Sequence, residues 1–109
     1  MTQFDEREHA FESAFAHNEE LRFKAMARRN KLIGLWAAGA LGKTGEDAIE
    51  YAKTVVTAAL AHGSDDDVYE KLTTDLKAAG VAYDDGEIRD KLRLLMREAR
   101  DQIMTEVKD

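Results

Sequence analysis

The chain contains no cysteine and no proline, and only seven of its 109 residues are glycine. Without cysteine there is no disulfide, no thiolate nucleophile and no thiolate-type zinc site, which fits a reducing compartment. Without proline nothing interrupts a helix from inside, so the few glycines become the main punctuation. A membrane-spanning run is missing as well. The apolar stretch Leu32 to Leu41 is half of the roughly twenty residues a bilayer span needs, and the N-terminus lacks the basic segment that opens a signal peptide. The expected location is cytoplasmic. What is present is 44% hydrophobic and 35% charged residues, the composition of one small helix-rich domain rather than of a disordered or fibrous chain. A net charge of −6 is a weak argument against general nucleic-acid binding, a reading that a local basic stripe keeps open; no nucleic-acid partner is expected.

Charge is sorted by region. Residues Met1 to Glu20 hold six acids and one arginine, whereas Leu21 to Gly45 hold six Lys or Arg residues and no acid. The two regions join without a break, so one continuous helical pattern carries opposite charge at its ends. Such polarity suits docking onto another protein. The exclusion of acids around Arg22, Lys24, Arg28, Arg29 and Lys31 points to contact with an acidic partner surface.

The periodicity predicts four helices, at about residues 20–41, 45–62, 65–79 and 86–107. Gly42 stands where the glycine after a helix adopts positive φ, and Thr44 is placed to cap the next helix, with Glu46 and Asp47 in its first turn. Apolar stripes follow the helical period at Ala48, Ala52, Val55, Val56, Ala59 and Leu60. They continue at Val68, Leu72, Leu76 and Ala79, and then at Ile88, Leu92, Leu95, Met96, Ala99 and Ile103. Gly63 and Gly80 stop the second and third helices, and Asp84 or Asp85 caps the fourth. Short connections imply antiparallel neighbours, hence an all-α four-helix bundle with a mobile N-terminal helical arm. Leu32, Leu35, Trp36 and Gly39 are expected to give the first helix its apolar surface, with Trp36 as the centrepiece of the core and Ala37 and Ala40 allowing close approach.

Residues 1–19 have no matching stripe to bury them, so they are expected to form an arm that is disordered or a frayed helix when free, while 20–109 fold as the domain. As a helix, residues 1–20 would form a rod of roughly 30 Å. Phe4, Phe11 and Phe15 would then share one face. Burying each is worth about 1.5–3 kcal/mol, enough for three to offset the roughly 2–5 kcal/mol that ordering such a segment costs. A helix laid into a groove of a partner fits this pattern. The simpler reading, in which the three rings pack back on the domain, competes with it.

Phe4-Asp5-Glu6-Arg7-Glu8-His9-Ala10-Phe11-Glu12, Phe15-Ala16-His17, Glu20-Leu21-Arg22-Phe23-Lys24-Ala25, Ala27-Arg28-Arg29-Asn30-Lys31-Leu32 and Gly34-Leu35-Trp36-Ala37-Ala38 together resemble the ATPase inhibitor zeta subunit family of alphaproteobacterial F-type ATP synthases. Tyr51-Ala52, Val55-Val56 and Gln102-Ile103-Met104 extend the resemblance over essentially the whole chain. It implies a compact four-helix protein whose N-terminal helix wedges at a catalytic interface of the F1 part, between alpha and beta subunits and beside the gamma stalk, and hinders rotation in the hydrolytic direction. The partners implied are the alpha, beta and gamma subunits, with no direct membrane insertion, at the cytoplasmic face of the inner membrane. The free chain is expected to be a monomer. The residues expected to touch the partner are Phe4, Arg7, Phe11, Phe15, Leu21, Arg22, Lys24, Arg28 and Arg29.

No catalytic residue, cofactor or metal is expected. Ala37 to Thr44 comes within one residue of a phosphate-binding GxxxxGK[ST] loop, but Ala37 replaces the first glycine and no strand precedes it. Weak adenine nucleotide binding through the cations Arg28, Arg29 and Lys31 supplies the alternative reading, a small nucleotide- or phosphate-sensing adaptor. His9 and His17 lie more than two helical turns apart, too far for one metal, and His62 has no second nitrogen ligand nearby. Asp65-Asp66-Asp67 lacks the glycine and distal glutamate of a calcium loop and reads as first-turn charge.

Overall fold

The computed structural model describes residues 18–62 and 65–108. Among them four helices follow one another: α1 (Glu19–Ala40), α2 (Gly45–His62), α3 (Asp65–Ala78) and α4 (Asp85–Lys108). Each boundary lies within a residue of its expected place. The leader, including Phe4, Arg7, Phe11 and Phe15, lies outside the described residues, as does Gly63.

Local chemistry sets these ends. The Asn18 side chain accepts a hydrogen bond from the Leu21 N–H at 3.1 Å, and its backbone is extended at φ −123 and ψ 101, the N-cap arrangement that satisfies one free amide of a first turn. At the other end Gly42 takes φ 79, and the Lys43 and Gly42 amides donate to the carbonyls of Ala38 (2.9 Å) and Gly39 (3.1 Å). Gly80, at φ 72, ends α3 the same way, with Val81 N–H donating to Leu76 at 2.9 Å. These are left-handed closures that glycine makes without a Cβ penalty. Thr44 stands immediately before α2, at the position expected of its cap, and the first residue of the helix, Gly45, takes a positive φ of 55.

α1 packs on all three other helices; the pairings Arg28–Glu106 and Trp36–Lys91 show α1 and α4 running antiparallel, and Asp66–Arg89 and Tyr69–Asp85 show the same for α3 and α4. Ile33, Val55, Val68, Leu72, Leu76 and Ile88 form the centre of the core. A smaller cluster of Ala25 and Ile103, flanked by Leu21, Met96 and Met104, carries the α1–α4 seam toward the start of α1. At the α1–α2 crossing a Cβ placed on Gly34 would lie 2.7 Å from the Ala52 Cα, so the backbones meet at a separation only glycine permits.

Several expected core positions move. The buried face of α1 is made by Ala25, Ile33, Gly34, Ala37 and Ala38 together with Arg29 and Asn30, while Gly39 is exposed and Leu32, Leu35 and Trp36 are only partly covered. Trp36 leans on the edge of the core with the Lys91 ammonium 5.8 Å from its ring centre. The reason is that α1 is flanked on several sides, so small residues take the tight contacts and the large ones fill the margins. Leu60, near the end of α2, and Ala79, just past α3, are also exposed.

Candidate functional site

The basic stretch of α1 divides in two when folded. Arg29 is 1% exposed; its Nε donates to Asn30 Oδ1 and its Nη2 to Asp65 Oδ1, both at 2.8 Å. Arg28 forks onto Glu106, with Nη1 to Oε2 at 2.7 Å and Nη2 to Oε1 at 2.9 Å, and Nη1 also reaches Gln102 Oε1 at 2.7 Å. That bidentate geometry is the strong form of an arginine–carboxylate contact. The hydrogen bond holds the Glu106 carboxyl below its ordinary value and the Arg28 guanidinium above its own. Of the four arginines expected to face a partner, Arg28 and Arg29 thus tie α1 to α4 and α3 respectively.

Leu21 is half-buried in the Ala25–Ile103 cluster. Arg22, Lys24 and Lys31 are exposed; Lys24 lies 3.3 Å from Glu20, an open i,i+4 pair of little energetic weight. These three cations are the part of the stripe that the folded domain leaves facing outward.

Two surface features were not foreseen. An apolar groove of about 170 Å³ runs between α1 and α2, lined by Phe23, Met26, Ala27, Val56, Ala59 and Leu60, with Arg29 and Asn30 at its floor. Phe23 and Leu60 are 58% and 60% exposed. The sequence signal for it is a Phe set among cations in α1 and a Leu at the end of the α2 stripe, beyond the reach of the core. A second cleft, of about 350 Å³, is lined by Arg29, Asp65, Arg89, Leu92, Arg93, Met96 and Arg100. Its arginines are partly answered from within: Arg89 meets Asp66 at 2.9 Å and stacks 4.1 Å from the Tyr69 ring centre, and Arg93 pairs with Asp90. A phosphate entering there would compete with Asp65 and Asp66.

Tyrosines fasten the remaining seams. Tyr51 donates to Asp75 Oδ2 at 2.8 Å while Lys71 meets the same carboxylate at 2.8 Å, and burial with that hydrogen bond pushes the Tyr51 phenol well up. Tyr69 donates to Asp85, which pushes its phenol up to about 12. Among the described residues no group of three or more His, Asp or Glu side chains is arranged to hold a metal ion, and no helix is long and apolar enough to cross a membrane. The described surface presents an apolar groove between α1 and α2 and three outward cations in the first two-thirds of α1.

Residues 1–102 match the family described as ATPase inhibitor subunit zeta. A protein whose structure was solved by NMR in solution is 43% identical, with a TM-score of 0.69, the match covering 79% of this chain and 98% of that one. No curated protein matches.

Proposed function

The chain belongs to the ATPase inhibitor subunit zeta family, a regulatory rather than catalytic family, and from that premise we propose that it blocks ATP hydrolysis with its first seventeen or so residues. The leader enters the F1 part of an F-type ATP synthase as a helix, at an alpha/beta catalytic interface beside the gamma stalk, and obstructs rotation in the hydrolytic direction. Phe4, Phe11 and Phe15 supply its apolar face. Arg22, Lys24 and Lys31 meet acidic surface where the leader emerges, at the cytoplasmic face of the membrane that carries the synthase. The four helices serve as the body from which the leader projects.

The observation that carries this reading is the extent of the family match, which includes the leader as well as the domain. The alternative, a phosphate-sensing adaptor, loses support because Arg28 is forked onto Glu106 and Arg29 is buried against Asp65, leaving Lys31 alone of the three cations that reading needs. Hydrolysis by the cognate F1 particle decides between them. Added full-length protein should inhibit, and deletion of residues 1–15 should abolish inhibition while circular dichroism still reports the folded helices. Inhibition that survives the deletion, and disappears with Lys31→Ala, would sink the leader reading.

A further inference from the structure

α1 and α2 meet closely at Gly34 and Ala52, and the groove between them lies where they part beyond that crossing. Met26 and Ala27 stand seven or eight residues before Gly34, and Ala59 and Leu60 seven or eight after Ala52, about 10–12 Å along each helix. The groove has a volume of about 170 Å³, and an apolar cavity of about 150 Å³ suffices to hold a benzene ring. It is therefore of a size to take one aromatic side chain.

The floor of the groove can donate. Asn30 is 4% exposed, and its Oδ1 accepts from Arg29 Nε at 2.8 Å. An N–H donor at that point fixes which end of the amide is oxygen, so Nδ2 turns away from Arg29. No group among the described residues accepts from it. Every fully buried side-chain nitrogen or oxygen among those residues has a partner, so Nδ2 keeps some accessible surface. Of the two clefts, the α1–α2 groove is the one that Asn30 lines. An occupant that suits both walls and floor brings an aromatic body and an oxygen that accepts, which tyrosine combines.

Charge describes the segment around that ring. No acid occurs from Leu21 to Gly45 or from Lys53 to His62, the stretches that supply both walls. Arg22 and Lys31 stand exposed on α1, together with Lys24, which Glu20 partly answers. An acidic segment complements such a rim. Position then names its owner. Phe23 lies five residues after Asn18, about 8 Å along α1, so whatever receives the leader is brought against this end of the helix. We infer that the groove is a second docking point on the ATPase, seating a tyrosine ring from an acidic segment of the F1 surface, with the hydroxyl oxygen accepting from the Asn30 N–H. That partner rests on the leader being the acting segment; the preference of the groove for a tyrosine ring does not.

Two measurements on the full-length protein test the docking. In NMR titrations p-cresol, the analogue of the tyrosine side chain, should shift the Met26, Val56 and Leu60 methyl signals at several-fold lower concentration than toluene, which lacks the oxygen. Equal response to the two, or none, overturns the seat. So does movement of the same signals with protein concentration alone, which would make a second copy the occupant. In F1 hydrolysis assays Leu60→Glu sets an acid on the rim and should raise the concentration for half inhibition about tenfold or more, with the melting temperature unchanged. Phe23→Ser should act likewise from the α1 side. Leu94→Glu, at an apolar site on α4 that is 55% exposed, should inhibit as the wild-type chain does. Rim variants that still inhibit fully, or a Leu94→Glu variant that fails as badly as they do, overturn the docking and leave the role of the leader intact. An F1 particle that the wild-type chain itself does not inhibit removes both the proposed function and this partner, while the titration still decides the seat.

Discussion

Arg29 Nη2 donates to Asp65 Oδ1 at 2.8 Å across 36 positions of sequence, and the two ends of the pair live in different media: the Arg29 side chain is 2% exposed and that of Asp65 62%. The carboxylate keeps much of its hydration while the guanidinium has given its own up. The pair is consequently asymmetric in what its loss would cost.

Asp65→Ala strands a buried cation and should lower unfolding free energy by about 3 kcal/mol. Asp66→Ala, at the exposed pair with Arg89, should cost less than about 1 kcal/mol. Arg29→Met, which replaces the sealed charge with hydrocarbon, should cost less than Asp65→Ala. Urea denaturation of the three variants measures the order directly.

Gly34→Ala should destabilise by about 1–3 kcal/mol, the usual range for forcing atoms into a packed core, because the atom it meets at 2.7 Å is the Ala52 backbone Cα and cannot rotate aside. Gly39→Ala meets nothing within 4 Å and should stabilise α1 by up to about 1 kcal/mol through helix propensity. Opposite shifts in melting temperature for two glycines five residues apart would confirm the crossing.

Acid should loosen the α1–α4 seam. The Glu106 carboxyl is depressed chiefly by its hydrogen bond from Arg28. A depressed folded value means that its contribution is complete above the ordinary value of 4.5 and is lost as pH falls through the lower folded value. Melting temperature should thus fall more steeply below that point in the wild-type chain than in Glu106→Gln, which already lacks the charge. Parallel curves would show the exposed pair to be energetically silent.

Phe15→Ala should weaken inhibition of F1 hydrolysis by an order of magnitude or more, the equivalent of about 1.5–3 kcal/mol of lost aromatic burial, with the melting temperature of the free protein nearly unchanged. Phe11→Ala should also weaken it, by the same loss at the target. A large drop in melting temperature for Phe15→Ala would instead place that ring in the domain core.

The four helices were legible because their ends are written in local chemistry: Gly42 and Gly80 supply the positive φ that terminates α1 and α3, and acids open α3 and α4. The stripes of α3 and α4 were equally plain, since each of these helices buries one face, and only Ala79 at the end of α3 fell outside the cover. The face of α1 was not, for the physical reason that a helix touched from several directions has no single apolar side, and its closest contacts fall on Gly34, Ala37 and Ala38 rather than on Trp36. Nor could spacing along one helix show that Arg29 would be sealed by the start of α3, or that Arg28 would fork onto a residue 78 positions away. Those pairings exist only once the helices are stacked. The exposed Phe23–Leu60 groove has the same origin, two residues from separate helices whose meeting no local rule foretells.

The attachment of the leader at Asn18 has a mechanical consequence. A load applied at that residue passes into α1, the helix that touches every other described helix, so it is shared among all of those seams. The Arg28–Glu106 fork lies near the point where such a load enters, and Arg29–Asp65 a residue beyond it. A body strung this way is hard to open from its tethered end.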